Sequence, residues 1–266
     1  LIKIQDITLG QYAYRKSIIH SLDPRTKILL SLFFMGFVFI THRLEILFFF
    51  FGIVLALFVL SKLDIRLALR NLKPFLWLFL LTFILHGMFT KGRLLWKIPF
   101  MSLSITEEGL YQGGFYAFRI GVLITVANLL TLTTSPMSFT DAIERFLSPF
   151  RCLGVPAHEI AMMLSIALRF IPILVDEAER IQKAQTSRGA RFEGNIVQKI
   201  RSIVPLLIPL FLSTFRRAND LALAMDARCY RGGEARTSYY VLRFQRSDGF
   251  ALISVLLFGI PMFVFR

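Results

Sequence analysis

Two arginines stand in closely matching settings. Arg188 lies in AQTSRGARF (residues 184–192) and Arg228 in AMDARCYRG (residues 224–232). Each is preceded by an Ala and a few polar residues and flanked by small side chains, Ser187 and Gly189 in one case, Ala227 and Cys229 in the other. Each also ends a stretch that suits a helix of about thirty residues. A guanidinium presented between narrow neighbours is a peg. Its planar fork pairs bidentately with carboxylates, and little bulk keeps a partner's backbone away. Two pegs on one chain imply two sockets, as a dimeric partner would supply. Two simpler readings stay open for either arginine: a cation near a helix C-terminus is favoured by the helix dipole, and an interfacial Arg pairs with lipid phosphate.

Other chemistry-bearing patterns are missing. The chain has no G-x-x-x-x-G-K-[ST] phosphate loop, no H-E-x-x-H and no G-x-S-x-G, so neither P-loop ATP binding nor protease or hydrolase chemistry of those kinds is expected. His20, His42, His86 and His158 are scattered without metal-ligand spacing. His158 and Glu159 are adjacent but fall at a helix start, where capping or surface roles are the default. Cys152 and Cys229 are far apart and make no disulfide framework. No cofactor is expected. An enzyme using only Arg, Asp and Glu stays possible, and the polar residues available inside the apolar segments for it are His86, Arg119 and Asn128.

The elements that must carry the two pegs are apolar. Of 266 residues 55% are hydrophobic, 28 of them Phe, and the mean hydropathy is +0.62. This composition indicates a polytopic membrane protein. Lys and Arg total 31 against 17 Asp and Glu, a net charge of +14, which suits a cytoplasmic membrane face. Nucleic acid is not expected as a partner, because the basic residues interleave with membrane-grade apolar runs. The N-terminus carries no cleavable signal pattern, so insertion is expected to begin with the first span. The sequence starts at Leu1, which implies that at least the initiator Met is absent from it.

Five spans are expected: Ile28–Ile40, Leu44–Leu60, Pro74–Phe89, a Gly- and Thr-rich one near Gln112–Thr134, and Phe250–Phe265. The first is short, but Arg25, Lys27 and Arg43 can snorkel from its ends. Arg119, inside the fourth, should face protein or an interface, since charge facing lipid is costly. About half of all Lys and Arg fall between Ser135 and Ser247. Alternation of the spans puts this block and the N-terminus inside the cell, although Arg43, Lys91, Arg93 and Lys97 make the charge bias imperfect.

Three helices are expected in the basic block. One covers Thr140–Phe150, with Ser138 or Thr140 as N-cap. The second runs from after Pro156 to about Arg188, stopped by Gly189, with an apolar stripe (Ile160, Met163, Ala167, Phe170, Leu174) that suits an interface more than a bilayer crossing. The third runs from about Asn195 to Arg228, bent at Pro205 and Pro209 and ended by Cys229 and the Gly232–Gly233 pair. The fold class is thus all-α, with about five transmembrane helices plus two long and one short cytoplasmic or interfacial helices. The expected divisions are residues 1–134 (four spans), 135–246 (the basic helices) and 247–266 (the last span).

AQTSRGARF and AMDARCYRGG resemble the paired Ala-Arg-Gly motifs of the transmembrane T component (EcfT) of energy-coupling factor (ECF) transporters. LDPRTK at Leu22–Lys27 is similar to that family's segment before the first span, and the likeness runs over nearly the whole chain. Ser187 stands where Ala is common, and Cys229 where Gly is common. Both are small, so the narrow flanks survive, but Cys229 weakens any requirement for positive φ there. The resemblance implies a non-catalytic scaffold that docks Ser187–Gly189 and Ala227–Cys229 into two ATPase subunits, homo- or heterodimeric. It also implies a separate substrate-binding S component, held in the membrane on a platform for which Met162, Met163, Ile166, Phe170 and Met225 are candidates. Plain internal packing is the competing role for each of these five. Asp23, Arg25 and Lys27 are expected to form a structural cluster at the membrane entry, with positive-inside anchoring by Arg25 and Lys27 as the simpler role, favoured over direct coupling. The imported micronutrient is not named by this chain, since the resemblance assigns specificity to the S component. The alternative class is a membrane-embedded enzyme acting on an anionic lipid or isoprenoid phosphate.

Overall fold

A computed structural model describes residues 12–97, 104–190, 196–232 and 244–264. The chain divides into two compact units, one comprising Gln11–Ser135 with Val241–Arg266, the other containing Pro136–Tyr240.

The first unit holds α1 (Ile18–Ser21), α2 (Pro24–Ile40), α3 (Leu44–Leu60), α4 (Ile65–Leu72), α5 (Leu76–Phe89), a two-stranded hairpin of β1 (Leu94–Lys97) and β2 (Ser104–Thr106), α6 (Glu107–Thr133) and α10 (Arg246–Val264). Leu47, Phe50, Val54 and Phe58 recur every three or four residues on α3 and are buried against Phe34 and Val38 of α2 and Phe115, Val122, Val126, Leu129 and Leu132 of α6. The outward faces are equally apolar, with Phe39, Phe48, Phe49, Trp77 and Phe89 exposed. A helix that is hydrophobic all round belongs in lipid. Among the described residues three helices are long and apolar enough to cross a membrane: Ile65–Phe89, Glu107–Thr133 and Ala157–Ser187. Leu44–Leu60 is a shorter apolar helix. The chain is an all-α membrane protein, as its composition indicates, with the small hairpin added.

Several boundaries move from their expected places, each for a local reason. α2 starts at Pro24, not Ile28, because the Asp23 carboxylate accepts from the Arg25 N–H at 2.9 Å and caps the helix, with Pro at the first position. α6 starts at Glu107, five residues before Gln112. Thr106 Oγ1 accepts from the Gly109 N–H, and Glu107 and Glu108 sit where the helix dipole favours acids. The third span is entered through α4 and a 3-10 turn, Lys73–Phe75, that absorbs Pro74. The start of the last long helix at Asn195, and Gly233 and Phe265, lie outside the described residues.

α5 and α6 pack through Gly109 and Gly113, a G-x-x-x-G spacing. A Cβ on Gly113 would lie 2.9 Å from the Phe83 carbonyl oxygen, and one on Gly109 2.7 Å from that of His86. Small residues allow such backbone approach, the common device of helix pairs in lipid. Arg119 is buried, as its position inside a span requires. Its guanidinium donates to the Thr41 carbonyl at the end of α2 and lies 4.6 Å from the Phe115 ring centroid and 5.3 Å from that of Tyr116.

The LDPRTK segment forms a structural cluster and is more than a surface anchor. Asp23 and Lys27 are buried. Lys27 Nζ donates to the carbonyls of His20 (3.0 Å) and Thr133 (2.9 Å), closing the C-terminus of α6. The fully buried Asp248 accepts from the backbone N–H groups of Asp23 (2.9 Å) and Gln245 (2.8 Å), so it joins the starts of α2 and α10. These charges face inward because four helix ends converge there and need partners for their free backbone groups.

Candidate functional site

The second unit is built from α7 (Pro136–Leu147), a 3-10 helix Ser148–Leu153, α8 (Ala157–Ser187) and α9 (Ile196–Ala227). α7 begins at Pro136, a residue suited to a first helical position, so Ser138 and Thr140 lie inside the helix and are not its caps. Thr140 is buried, and its hydroxyl turns back to the Met137 carbonyl at 2.7 Å. Glu144 gathers His158 (2.9 Å) and Arg151 (3.9 Å), tying α7 to the start of α8. Asp141 is pushed above the usual carboxylate range, first by burial and then by the charge of Glu144.

α8 has 31 residues and is, by length and composition alone, long and apolar enough for a span, while its amphipathic charge pattern is the one expected of a helix at an interface or under other helices. It is mostly apolar through Val175, a stretch in which Glu159 and Arg169 begin the polar stripe, and is densely charged from Asp176 onward. α9 has 32 residues and contains Pro205 and Pro209. The two helices run antiparallel. Arg217 on α9 pairs with Glu177 on α8 at 3.2 Å, and beyond α9 the Gly232 Cα faces Glu159 at the start of α8, 3.6 Å from a Cβ built there.

The two arginine motifs end these helices in the same way. After α8, the Ala190 N–H donates to the Gln185 carbonyl (3.0 Å) and the Gly189 N–H to that of Thr186 (2.9 Å), with Gly189 at φ +89°. After α9, the Tyr230 N–H donates to the Met225 carbonyl (3.1 Å) and the Cys229 N–H to that of Asp226 (2.9 Å), with Cys229 at φ 55°. Both are Schellman caps, in which a left-handed residue follows the C-cap. Arg188 and Arg228 each occupy the C-cap itself. Cys229 therefore does adopt positive φ, contrary to what its side chain suggested: the cap's two hydrogen bonds hold it there despite the Cβ.

Ser187, Arg188 and Gly189 are exposed, as are Ala227, Arg228 and Cys229. The Ser187 hydroxyl bonds back to the Lys183 carbonyl at 3.1 Å, which keeps that flank of Arg188 narrow. Among the described residues neither guanidinium has an ion-pair or hydrogen-bond partner. Arg188 lies eleven residues past Glu177, and Arg228 eleven past Arg217, in opposite directions along the pair. At 1.5 Å per residue the two tips are about 30 Å apart, on equal arms about the ion pair.

The five platform candidates do not form one exposed patch. Met163 is 57% exposed, while Met162, Ile166, Phe170 and Met225 are half-buried. The larger exposed apolar surface is on α9, at Leu207, Ile208, Phe211, Leu212 and Phe215. The sequence reading treated that run only as part of a long helix bent at Pro205 and Pro209. Its signal was available, as five large apolar side chains within nine residues. Of the residues weighed for an enzyme, His86 and Arg119 lie against the same Tyr116 ring, and Asn128 is engaged elsewhere. His86 Nδ1–H donates to the Thr82 carbonyl (2.9 Å), and its ring stacks on Tyr116. Arg119 serves Thr41, and Asn128 accepts from Asn71 at 2.8 Å.

This geometry defines a helical membrane protein carrying two matched, solvent-facing arginine caps. Residues 15–239 match the CbiQ family, described as cobalt transport protein. An energy-coupling factor transporter transmembrane protein EcfT of Thermosediminibacter oceani is 48% identical over 264 residues, covering 99% of each chain. Those of Acidaminococcus fermentans and Streptococcus thermophilus are 47% and 43% identical, covering 97% and 98% of this chain. The chain belongs to the CbiQ family, as an EcfT-type transmembrane component of energy-coupling factor transporters.

Proposed function

We propose that this chain is the non-catalytic energy-coupling scaffold of an ATP-driven importer of a vitamin or other micronutrient. Residues 1–134 and 247–266 hold it in the cell membrane, and 135–246 form the coupling segment, with that segment and the N-terminus on the cytoplasmic side. Arg188 docks into one cytoplasmic ATPase subunit and Arg228 into the other, each between its small neighbours. The exposed apolar surface of α8 and α9, including Met163, receives the substrate-binding S component. The observation that carries this reading is the pair of identical caps: two exposed C-cap arginines, each followed by a left-handed small residue, at opposite ends of one antiparallel helix pair. A dipole or lipid contact would not require the two ends to match.

The test is copurification and uptake. Arg188→Ala and Arg228→Ala each weaken recovery of the ATPase subunits, and the double variant abolishes coupled transport. Loss of one buried charge-assisted pair costs about 2–5 kcal/mol, more than tenfold in affinity. A double variant that assembles and transports like the parent defeats the proposal. No observation favours the enzyme alternative, whose three polar candidates are each engaged in structural contacts.

A further inference from the structure

A second site lies in the first unit, away from the arginine caps. A cavity of about 750 Å³ is bounded by the segment before α1 and by the end of α3, and Arg15, Lys16 and Lys62 line it. Among the described lining residues there is no carboxylate. Its base is different in kind: Val59 and Leu60, 64% and 55% exposed, are the last residues of an apolar helix without a charge from Ile46 onward. The cavity thus joins three cations to a strip of membrane-grade surface.

Both cationic walls are held in place. The Ala13 N–H donates to the Leu132 carbonyl at the end of α6 (3.1 Å). His20 Nε2–H donates to the Ala13 carbonyl (3.0 Å), and His20 Nδ1 pairs with the Ser17 hydroxyl (2.7 Å). Arg15 and Lys16 are therefore carried on a stapled loop. Lys62 sits at φ 54°, the left-handed residue of a Schellman cap that ends α3. Its N–H donates to Val59, and that of the buried Leu63 donates to Phe58. Glycine suits that position, and a strained non-glycine residue there points to use of its side chain.

We propose that this cavity binds the phosphate headgroup of an anionic phospholipid, with an acyl chain laid along Val59 and Leu60. A free phosphate would use the cations but not the apolar base. A zwitterionic lipid would bring a cation of its own to a site that already has three.

The test uses the full chain in detergent, titrated with phosphatidylglycerol or phosphatidylcholine and read by native mass spectrometry. One phosphatidylglycerol is retained in preference to phosphatidylcholine. Cations at a membrane surface contribute about fivefold each, so Arg15→Gln/Lys16→Gln/Lys62→Gln lowers its affinity on the order of a hundredfold. Lys62→Gly removes one ammonium while easing the backbone, and lowers affinity about fivefold without loss of folding. Lys91→Gln/Arg93→Gln/Lys183→Gln removes the same charge elsewhere and retains binding. Equal loss in that control, equal retention of phosphatidylcholine, or binding of inorganic phosphate alone as tight as that of phosphatidylglycerol overturns the proposal.

Discussion

Exchanging the residues that follow the two arginines separates backbone strain from partner contact. A non-glycine residue in the left-handed region costs roughly 1–2 kcal/mol. Cys229→Gly removes that cost at the end of α9 but adds the greater unfolded-state freedom of glycine, roughly 0.5–1 kcal/mol. The net gain is about 0.5–1 kcal/mol. The reverse change, Gly189→Ala, loses about the same at the end of α8, and purely through φ, because a Cβ there meets nothing within 4 Å. Hydrogen–deuterium exchange reports these local openings. The amides of Cys229 and Tyr230 and those of Gly189 and Ala190 donate the cap bonds. Exchange of the first pair slows about two- to fivefold in Cys229→Gly, and that of the second quickens by a similar factor in Gly189→Ala. Both substitutions keep the flanks small, so ATPase recovery should follow cap order and not side-chain bulk. Changes of the same sign in both variants, or none in either, would refute the account of the two caps as equivalent devices.

Other perturbations read other parts of the molecule. Arg188→Lys and Arg228→Lys should impair ATPase recovery nearly as much as Ala, since Lys lacks the planar fork. Gly113→Ala puts a Cβ 2.9 Å from a backbone carbonyl and should destabilise by roughly 1–3 kcal/mol. Gly114→Ala, with nothing within 4 Å, is the neutral control, and thermal unfolding in detergent distinguishes them. Asp248→Ala strands the buried N–H groups of Asp23 and Gln245 and should cost roughly 2–4 kcal/mol by the same assay, with Asp248→Asn milder. Burial lowers the His20 pKa below 6.5, outweighing the Ala13 hydrogen bond that raises it. The unfolded chain therefore binds more protons below that pH. The stability contributed by neutral His20 is full above pH 6.5 and falls as the pH drops toward its lower folded value. The melting-temperature difference between the parent and His20→Gln should shrink on acidification.

The helices were legible wherever one force set them. α3 matches its expected limits, Leu44 and Leu60, because a basic residue and a polar turn bound an unbroken apolar run. Starts were less legible where a capping side chain outweighed hydropathy. Asp23 and Thr106 drew α2 and α6 back by four and five residues into segments that read as polar. The inward turn of Asp23 and Lys27 was hidden because their partners, Asp248 and the Thr133 carbonyl, lie more than a hundred residues away. The arginine motifs stood out because the sequence repeats them. Their cap geometry did not, since Cys229 is a poor local signal for a left-handed bend, and only the hydrogen bonds around it show that Gly189 and Cys229 hold equivalent positions.

The Glu177–Arg217 contact has a mechanical meaning. It marks the midpoint between two arms of equal length, and under the proposed docking, forces at Arg188 and Arg228 would act on opposite ends of the beam. Pushed the same way, the ends carry the beam sideways. Pushed in opposite senses, they turn it, and over about 30 Å a relative stroke of about 5 Å gives a tilt near ten degrees. A motor that grips both tips can therefore deliver rotation from small linear movements, with no hinge at the grips themselves.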